Sequence, residues 1–461
     1  MDGARYDKYN CISPLDYRYE VEGGTDYFSQ HASIEYQLRV ELALATVLNR
    51  RGVCSDDALA EITHACHRVT PRKVAFREVT THHDLRALVD CIREGVSDTA
   101  KPFVHMTATS YDIVDTANAL RYRDGTHKFL VPFLLKLEAV LIEMTIREAR
   151  TTQVGRTHGK HAVPITFGMT TAGYVARLGN CIEHLRAAAD QYVGKFSGAV
   201  GAYNAASLFF SDPEQFEIDV LAELGLTPAE HSTQIAPPEA LLRLLTEVNL
   251  VAGVLAQIGR DMRHLQRTEI GEVGEEFVSG QVGSSTMPQK RNPINFENVE
   301  GTWSILVGHL MTAFMTQVSE HQRDLTGSIA SRTFGEMFCY VAQAAQRLTK
   351  TMEKLKVDHG NLQRNLDMQG GLTGSEALNL MLAALGHPNA HAKVQELTKL
   401  VLDNTFSSLF EALARDSELA EYASRIKPEQ LAMIRDPKLY IGRSAERALA
   451  VAENWKTRLG L

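Results

Sequence analysis

The sequence predicts an all-α protein in three parts, the central one a long helix bundle. Two observations carry this. Long periodic segments run over about 128–150, 167–192, 238–267, 293–319 and 331–355, each with apolar residues three and four apart and each bounded by Gly or Pro. Strand-type alternation is scarce, and the Gly/Ala-rich FSGAVGAYNAA (196–206) reads as loop. A helix of about 26 residues is roughly 39 Å long, too long to be buried in a small domain. Such helices suit an extended bundle, completed by other copies of the chain. The expected parts are an N-terminal helical domain (1–100), the central bundle (101–355) and a C-terminal helical domain (356–461).

In chain order, SIEYQLRVELALATVLNRRG (33–52) predicts an amphipathic helix ended by Gly52, and DDALAEITHACHRV (56–69) predicts a second. His64 and His67 on that second helix read as polar edges, because no further ligand pair is visible. TTHHDLRALVD (80–90) places two histidines at a helix start, with Asp84 in the first turn against the helix dipole. The long segments follow. Beyond 356 the helices shorten again around a Gly-rich joint, MQGGLTGS (368–375). No internal repeat or low-complexity tract interrupts the chain.

Composition excludes several function classes. The 461 residues are 44% hydrophobic and 23% charged, with a formal net charge of −8. That balance argues against a general nucleic-acid or anionic-membrane surface, so an anionic ligand needs a local basic pocket. No apolar run reaches membrane-spanning length; FLLKLEAVLIEM is broken by charges. MDGARYDKYN has no apolar leader. The six cysteines are scattered without CxxC spacing, which predicts free thiols and a cytoplasmic setting.

Three polar islands break the helical pattern. GSSTMPQKRNP (283–293) sits between two long segments, and Pro293 can open the second. Flexible Gly283, two hydroxyls, Lys290 and Asn292 can all face one anionic ligand, although such a loop is more often a solvated linker. GRTHGKHAVPITFG (155–168) carries His158 and His161. Gly155, Gly159 and Pro164 argue against a helix there, and no carboxylate or Cys lies at ligand spacing, so no metal is expected. The third island is the tandem histidine segment.

GSSTMPQKRNP resembles the signature loop GSSxMPxKxNP of the fumarase/aspartase superfamily, and the other islands resemble its nucleotide-using branch, the adenylosuccinate lyase family. The resemblance runs in order from about residue 12 to 448. It implies a cofactor-free homotetramer that releases fumarate by β-elimination, at sites built from more than one subunit. By it, Ser284 is the base, with Ser285 beside it. Lys290 and Asn292 hold the substrate carboxylate and stabilise the carbanion. His158, in a THG segment, is the general acid, and Glu297, seven residues after the loop lysine, holds it. His83 and Asp84 match the family's N-H-D or R-H-D, with His82 in place of Asn or Arg, which places His83 among the catalytic residues, in the phosphate and acid–base region. ISPLDYRYE resembles SPxDGRY and assigns Arg18 and Tyr19 to the nucleotide, with Tyr17 in place of Gly. ATSYD assigns Thr109 and Ser110, STQIAPPE assigns Gln234, and QRDLTGSIASR assigns Arg323, Ser328 and Arg332. Asn298 matches a further ligand contact, and YIGRSAERA resembles the terminal YIGRA.

The residue types suit the implied chemistry. Removing a proton beside a carboxylate creates a carbanion that cations and N–H groups must stabilise, and an acid must meet the departing nitrogen. A serine can act as base only where water is excluded and positive charge and N–H donors surround its oxygen. Arg18, His83, Ser328 and Arg332 are the types a 5′-phosphate requires. The expected substrates are adenylosuccinate and the succinyl-carboxamide ribotide of purine synthesis. Two alternatives stand beside this: an argininosuccinate lyase-like paralogue, which has no use for a phosphate pocket, and a non-catalytic structural homologue.

Overall fold

The computed structural model describes residues 10–277, 280 and 282–461. The first nine residues, read above as lacking an apolar leader, lie outside the described residues. Helices dominate, and the described strands form two short antiparallel pairs. The six cysteines are free thiols.

The helices that position the site begin with α1 (Gln30–Arg50), α2 (Asp56–Arg68), α3 (Pro71–Thr81) and α4 (Asp84–Arg93). Their ends follow local chemistry. Ser29 Oγ accepts from the Ala32 N–H at 3.1 Å and Ser55 Oγ from that of Ala58 at 3.2 Å, satisfying first-turn donors. Gly52 leaves α1 with φ +72°, where a Cβ would be strained. Then come α5 (Ser110–Asp124), α6 (Val131–Arg147), the hairpin β1 (Thr152–Thr157) and β2 (Lys160–Thr166), α7 (Phe167–Asp190) and α8 (Pro213–Ala222). The chain continues with α9 (Glu239–Leu265), β3 (Val273–Gly274), α10 (Ile294–Met315), α11 (Phe334–Glu353) and β4 (Lys356–Val357), the last paired with β3. The five long periodic segments are thus helical nearly end to end. Shorter helices from His359 to Leu459 complete the chain.

By composition and length alone, α9 could cross a membrane, but 61% of its apolar window is buried within the structure. That is the behaviour of a bundle's core helix, and it qualifies the sequence expectation that no segment reaches such length.

The described chain packs as two units. One draws on residues up to Leu134, Cys181–Gly253 and Gly301–Ala345; the other on Leu135–Asn180, Val254–Glu300 and Gln346–Leu461. In the first, α1 lies along α5, and a ring stack fills the space: Phe28 and Phe338 at 4.9 Å between centroids, Tyr122 and Phe338 at 5.5 Å. Lys195 is fully buried in this unit. Its ammonium meets Asp112 Oδ1 at 2.5 Å and the Gly198 carbonyl at 3.1 Å, so the charge is paired rather than stranded.

In the second unit Gly179 leaves room for the Trp455 indole, which any Cβ there would strike. Helices near the C-terminus share an apolar core around Leu378, Leu397 and Leu409. Glu138 on α6 is fully buried inside this unit, and among the described residues neither of its carboxylate oxygens has a hydrogen-bond partner. Burial pushes its carboxyl up to about 9, from the 4.5 of a solvated glutamate. At neutral pH the group is protonated in the fold and ionised in the unfolded chain. Its contribution therefore disfavours the fold increasingly from pH 4.5 up to about 9, and costs about 3 kcal/mol at pH 7. Glu138→Gln removes that titration. The variant's stability relative to the parent is expected to rise between pH 5 and 8 in denaturant titrations. A pH-independent difference would show that Glu138 does not titrate with folding.

Candidate active site

In the first unit, residues far apart in the chain line one cleft of about 690 Å³. Eight of the residues singled out from the sequence meet there: His82, His83, Asp84, Ser110, Gln234, Arg323, Ser328 and Arg332. The histidines form the joint between two helices. His82 ends α3 with φ +50°, a left-handed cap, and His83 is the N-cap of α4. The Arg86 N–H donates to His83 Nδ1 at 3.3 Å, which makes that nitrogen an acceptor and leaves Nε2 to carry the proton of the neutral ring. Asp84 Oδ2 stands 3.8 Å from the Arg332 guanidinium, a loose pair between exposed groups.

The other side chains are held from behind. Asp112, fully buried in α5, accepts from the Thr109 N–H at 2.8 Å and so fixes the turn that delivers Ser110. The Arg323 guanidinium donates to the Tyr111 hydroxyl and lies 3.3 Å above that ring's centroid. Asp115 accepts from the Ala236 N–H at 2.8 Å, tying the segment that carries Gln234 to α5. Desolvation pushes the Asp115 carboxyl up to about 6. Arg18, Tyr19 and Thr109 belong to this unit but do not line the cleft.

The remaining candidates belong to the second unit. His158 sits at the tip of the β1–β2 hairpin. Thr157 pairs with Lys160, so His158 and Gly159 form the whole turn, with φ +54° and +73°. Two successive positive φ values are the mark of a type I′ turn, whose twist matches the strands it joins. Gly155 lies at a register shift where a Cβ would strike the Val163 carbonyl. The hairpin is fastened by Glu272, a fully buried carboxylate. It accepts from Arg156 at 2.5 and 3.0 Å, Gln153 at 2.8 Å and Asn365 at 2.8 Å. His158 itself is exposed. The chain is poor in strands, as expected, and this hairpin is one of its two short described pairs; pairing across a turn is not visible in helical periodicity.

The Gly283–Pro293 segment is a tight loop. Ser284 Oγ accepts from the N–H groups of Thr286 at 3.3 Å and Met287 at 3.1 Å. Asn292 Nδ2 donates to the Gly283 carbonyl at 3.1 Å, and a Cβ at Gly283 would be driven into the Lys290 carbonyl. Ser285, Lys290 and Glu297 are exposed. Among the described residues no ion pair joins Glu297 to His158 within the chain. Asn298 follows on the first turns of α10.

The model of the family described as Lyase matches residues 19–308, and the model described as Adenylosuccinate lyase C-terminal matches residues 319–431. The chain is 34% identical to an adenylosuccinate lyase of Archaeoglobus fulgidus over 440 residues, 95% of this chain and 97% of that one. It belongs to the adenylosuccinate lyase family. A second relative of that name, from Pyrococcus horikoshii, is 34% identical over 96% of this chain and 98% of its own. Among solved structures, the 3-carboxy-cis,cis-muconate lactonizing enzyme of Pseudomonas putida superimposes with a TM-score of 0.82 at 28% identity. That match covers 95% of this chain and 98% of the other.

For an adenylosuccinate lyase family chain, the cleft also contains residues that sequence reasoning passed over. Tyr111, Asn118 and Arg121 line it beside the expected set. Tyr111 follows Ser110 within a motif already noted, and Asn118 and Arg121 lie about two and three turns further along α5 on that side of the helix. Helical spacing from Ser110 could have found them. Asp115 and Glu272 act from behind the surface and have no signal of their own in the sequence.

Proposed function

We propose that this protein is a lyase that eliminates fumarate from adenylosuccinate, leaving AMP, and from the analogous succinyl-aminoimidazole-carboxamide ribotide. The observation that carries the reading is the cleft. Arg121, Arg323 and Arg332, the Ser110 and Ser328 hydroxyls and two histidines converge there on a chain with a net charge of −8. Such a concentration of donors suits a phosphate, which guanidinium forks and hydroxyls hold in bidentate fashion. An argininosuccinate-type substrate has no phosphate to place in it.

In the proposed reaction Ser284 Oγ takes the proton from the carbon beside the substrate carboxylate. Ser284 acts as its alkoxide, its own proton having passed to water before the substrate is enclosed; the two N–H groups aimed at that oxygen stabilise the negative charge, and Lys290 adds positive charge. The electron pair moves onto the carboxylate, held by Lys290, Asn292 and Ser285, and then expels nitrogen. His158 gives that nitrogen a proton as the C–N bond breaks, so fumarate and the aminated nucleotide leave without any change in oxidation state. His83 and Asp84, with Asn298 and Gln234, orient the nucleotide and succinyl groups. Arg18, Tyr19 and Thr109 complete the nucleotide contacts. The substrate supplies its own electron sink, and the proposal requires no cofactor.

The proposal includes a homotetramer with shared sites, in which Glu297 meets His158 of another copy. Support comes from α10, where Val307, Met311, Phe314 and Met315 are exposed along one side. An apolar stripe of that length is what a copy of the chain covers. The test has two arms. Mixing the protein with adenylosuccinate should change the ultraviolet absorbance toward AMP with release of fumarate; turnover of argininosuccinate instead would overturn the substrate assignment. Inactive His158→Ala and Ser284→Ala proteins, mixed, dissociated and reassociated, should recover up to about a quarter of parental activity. Persistent inactivity in demonstrated mixed tetramers would place both residues in one chain.

A further inference from the structure

Glu275 lies outside every motif singled out in the sequence. It follows β3 and is half-buried in the second unit. Its carboxylate collects three donors from the start of α10: the Asn295 N–H at 3.0 Å and the Phe296 N–H at 3.1 Å on Oε1, and Asn295 Nδ2 at 2.7 Å on Oε2. Those backbone groups are in the first turn of α10, where no carbonyl within the helix can reach them. A cap normally comes from the residue just before a helix; this one comes from twenty residues upstream. The assembly is braced on both sides. The Glu275 N–H donates to Gln266 Oε1 at 3.0 Å, and Asn295 Oδ1 accepts from Arg347 on α11 at 2.8 Å.

The consequence is a loop closed at its base. Glu275 and Asn295 bracket the segment that holds Ser284, Lys290 and Asn292, and the Asn292–Gly283 hydrogen bond closes it again nearer the tip. Glu297 and Asn298 stand directly beyond the clamp on α10. We propose that Glu275 is a positioning residue for the elimination: by holding the start of α10 against β3 it fixes Lys290 and Asn292 in register with Ser284. This rests on the lyase reading above for what the loop does. The clamp itself rests on the three donors. A carboxylate presents acceptors to all of them, whereas a glutamine must turn an N–H₂ toward a donor or give up one contact.

The experiment compares Glu275→Gln, Glu275→Asp and the parent, with rates normalised to folded protein. Turnover of adenylosuccinate is measured together with amide exchange over 282–297. In Glu275→Gln, kcat is expected to fall at least about tenfold through misplacement of reacting groups. KM should stay within about threefold, because the phosphate cleft is untouched. Exchange across the loop and first turn should quicken, and Glu275→Asp, which keeps the charge, should recover part of both. A purely structural cap predicts otherwise: lower thermal stability with kcat per folded site unchanged, a result that overturns the proposal. If Glu275→Gln does not fold, Glu275→Asp decides by the same split between kcat and KM. A parent inert toward adenylosuccinate counts against the lyase reading, and the exchange comparison then stands alone: unchanged protection over 282–297 removes the clamp.

Discussion

Ser284→Ala is expected to abolish elimination while leaving adenylosuccinate affinity within about tenfold. The base acts on the substrate in the transition state, so its loss appears in kcat, by about a thousandfold or more, and little in binding. The geometry sharpens this. The Ser284 oxygen is the acceptor for two N–H groups, of Thr286 and Met287. Removing it takes away the base and also leaves those donors facing solvent in an exposed loop, where water can replace it. Thermal stability should therefore hardly change. Single-turnover rates and equilibrium binding, measured on the same preparation, check both halves. Near-normal turnover would transfer the role elsewhere, with the exposed Ser285 the first candidate.

Arg332→Ala is expected to weaken a phosphorylated substrate by about 2 kcal/mol or more, roughly thirtyfold, through loss of a charge-assisted contact. Arg332 in this structure is exposed and only loosely paired with Asp84, at 3.8 Å. It therefore has donors to offer a ligand without first breaking a strong internal bond. The fold should be unaffected, since an exposed pair of this kind contributes little. The comparison that matters uses the unphosphorylated nucleoside analogue, whose binding should fall much less. Equal losses for both ligands would show that Arg332 does not meet the phosphate.

How much of this was legible beforehand differs from element to element. The long helices were, because apolar spacing is a local property: α7, α9, α10 and α11 end within a few residues of the limits read from periodicity and from Gly and Pro. The residue types of the loop were legible too, since flexible Gly, hydroxyls and cations within eleven positions are conspicuous in a helical chain. The hairpin carrying His158 was not. Its strands hold one Gly and one Pro, and they form because Thr152–Val154 and Pro164–Thr166 pair across the turn while Glu272 fastens them from more than a hundred residues away.

The sequence by itself determined the class of the fold, the helices and the kinds of side chain available for chemistry. Those depend on the period of burial along a helix and on the preferences of single residues. Tertiary structure alone decided which of those side chains meet. Ser110, Gln234 and Arg332 come from three distant stretches to line one cleft. Arg18 and Tyr19, matched with equal ease in the sequence, do not line it. The supports were invisible for the same reason. Asp115 holds the Gln234 segment, Glu272 the hairpin and Glu275 the loop, and each is an ordinary acid until the fold brings backbone N–H groups or a guanidinium to its carboxylate. Partners of that kind are set by where the chain returns in space, which no local pattern encodes.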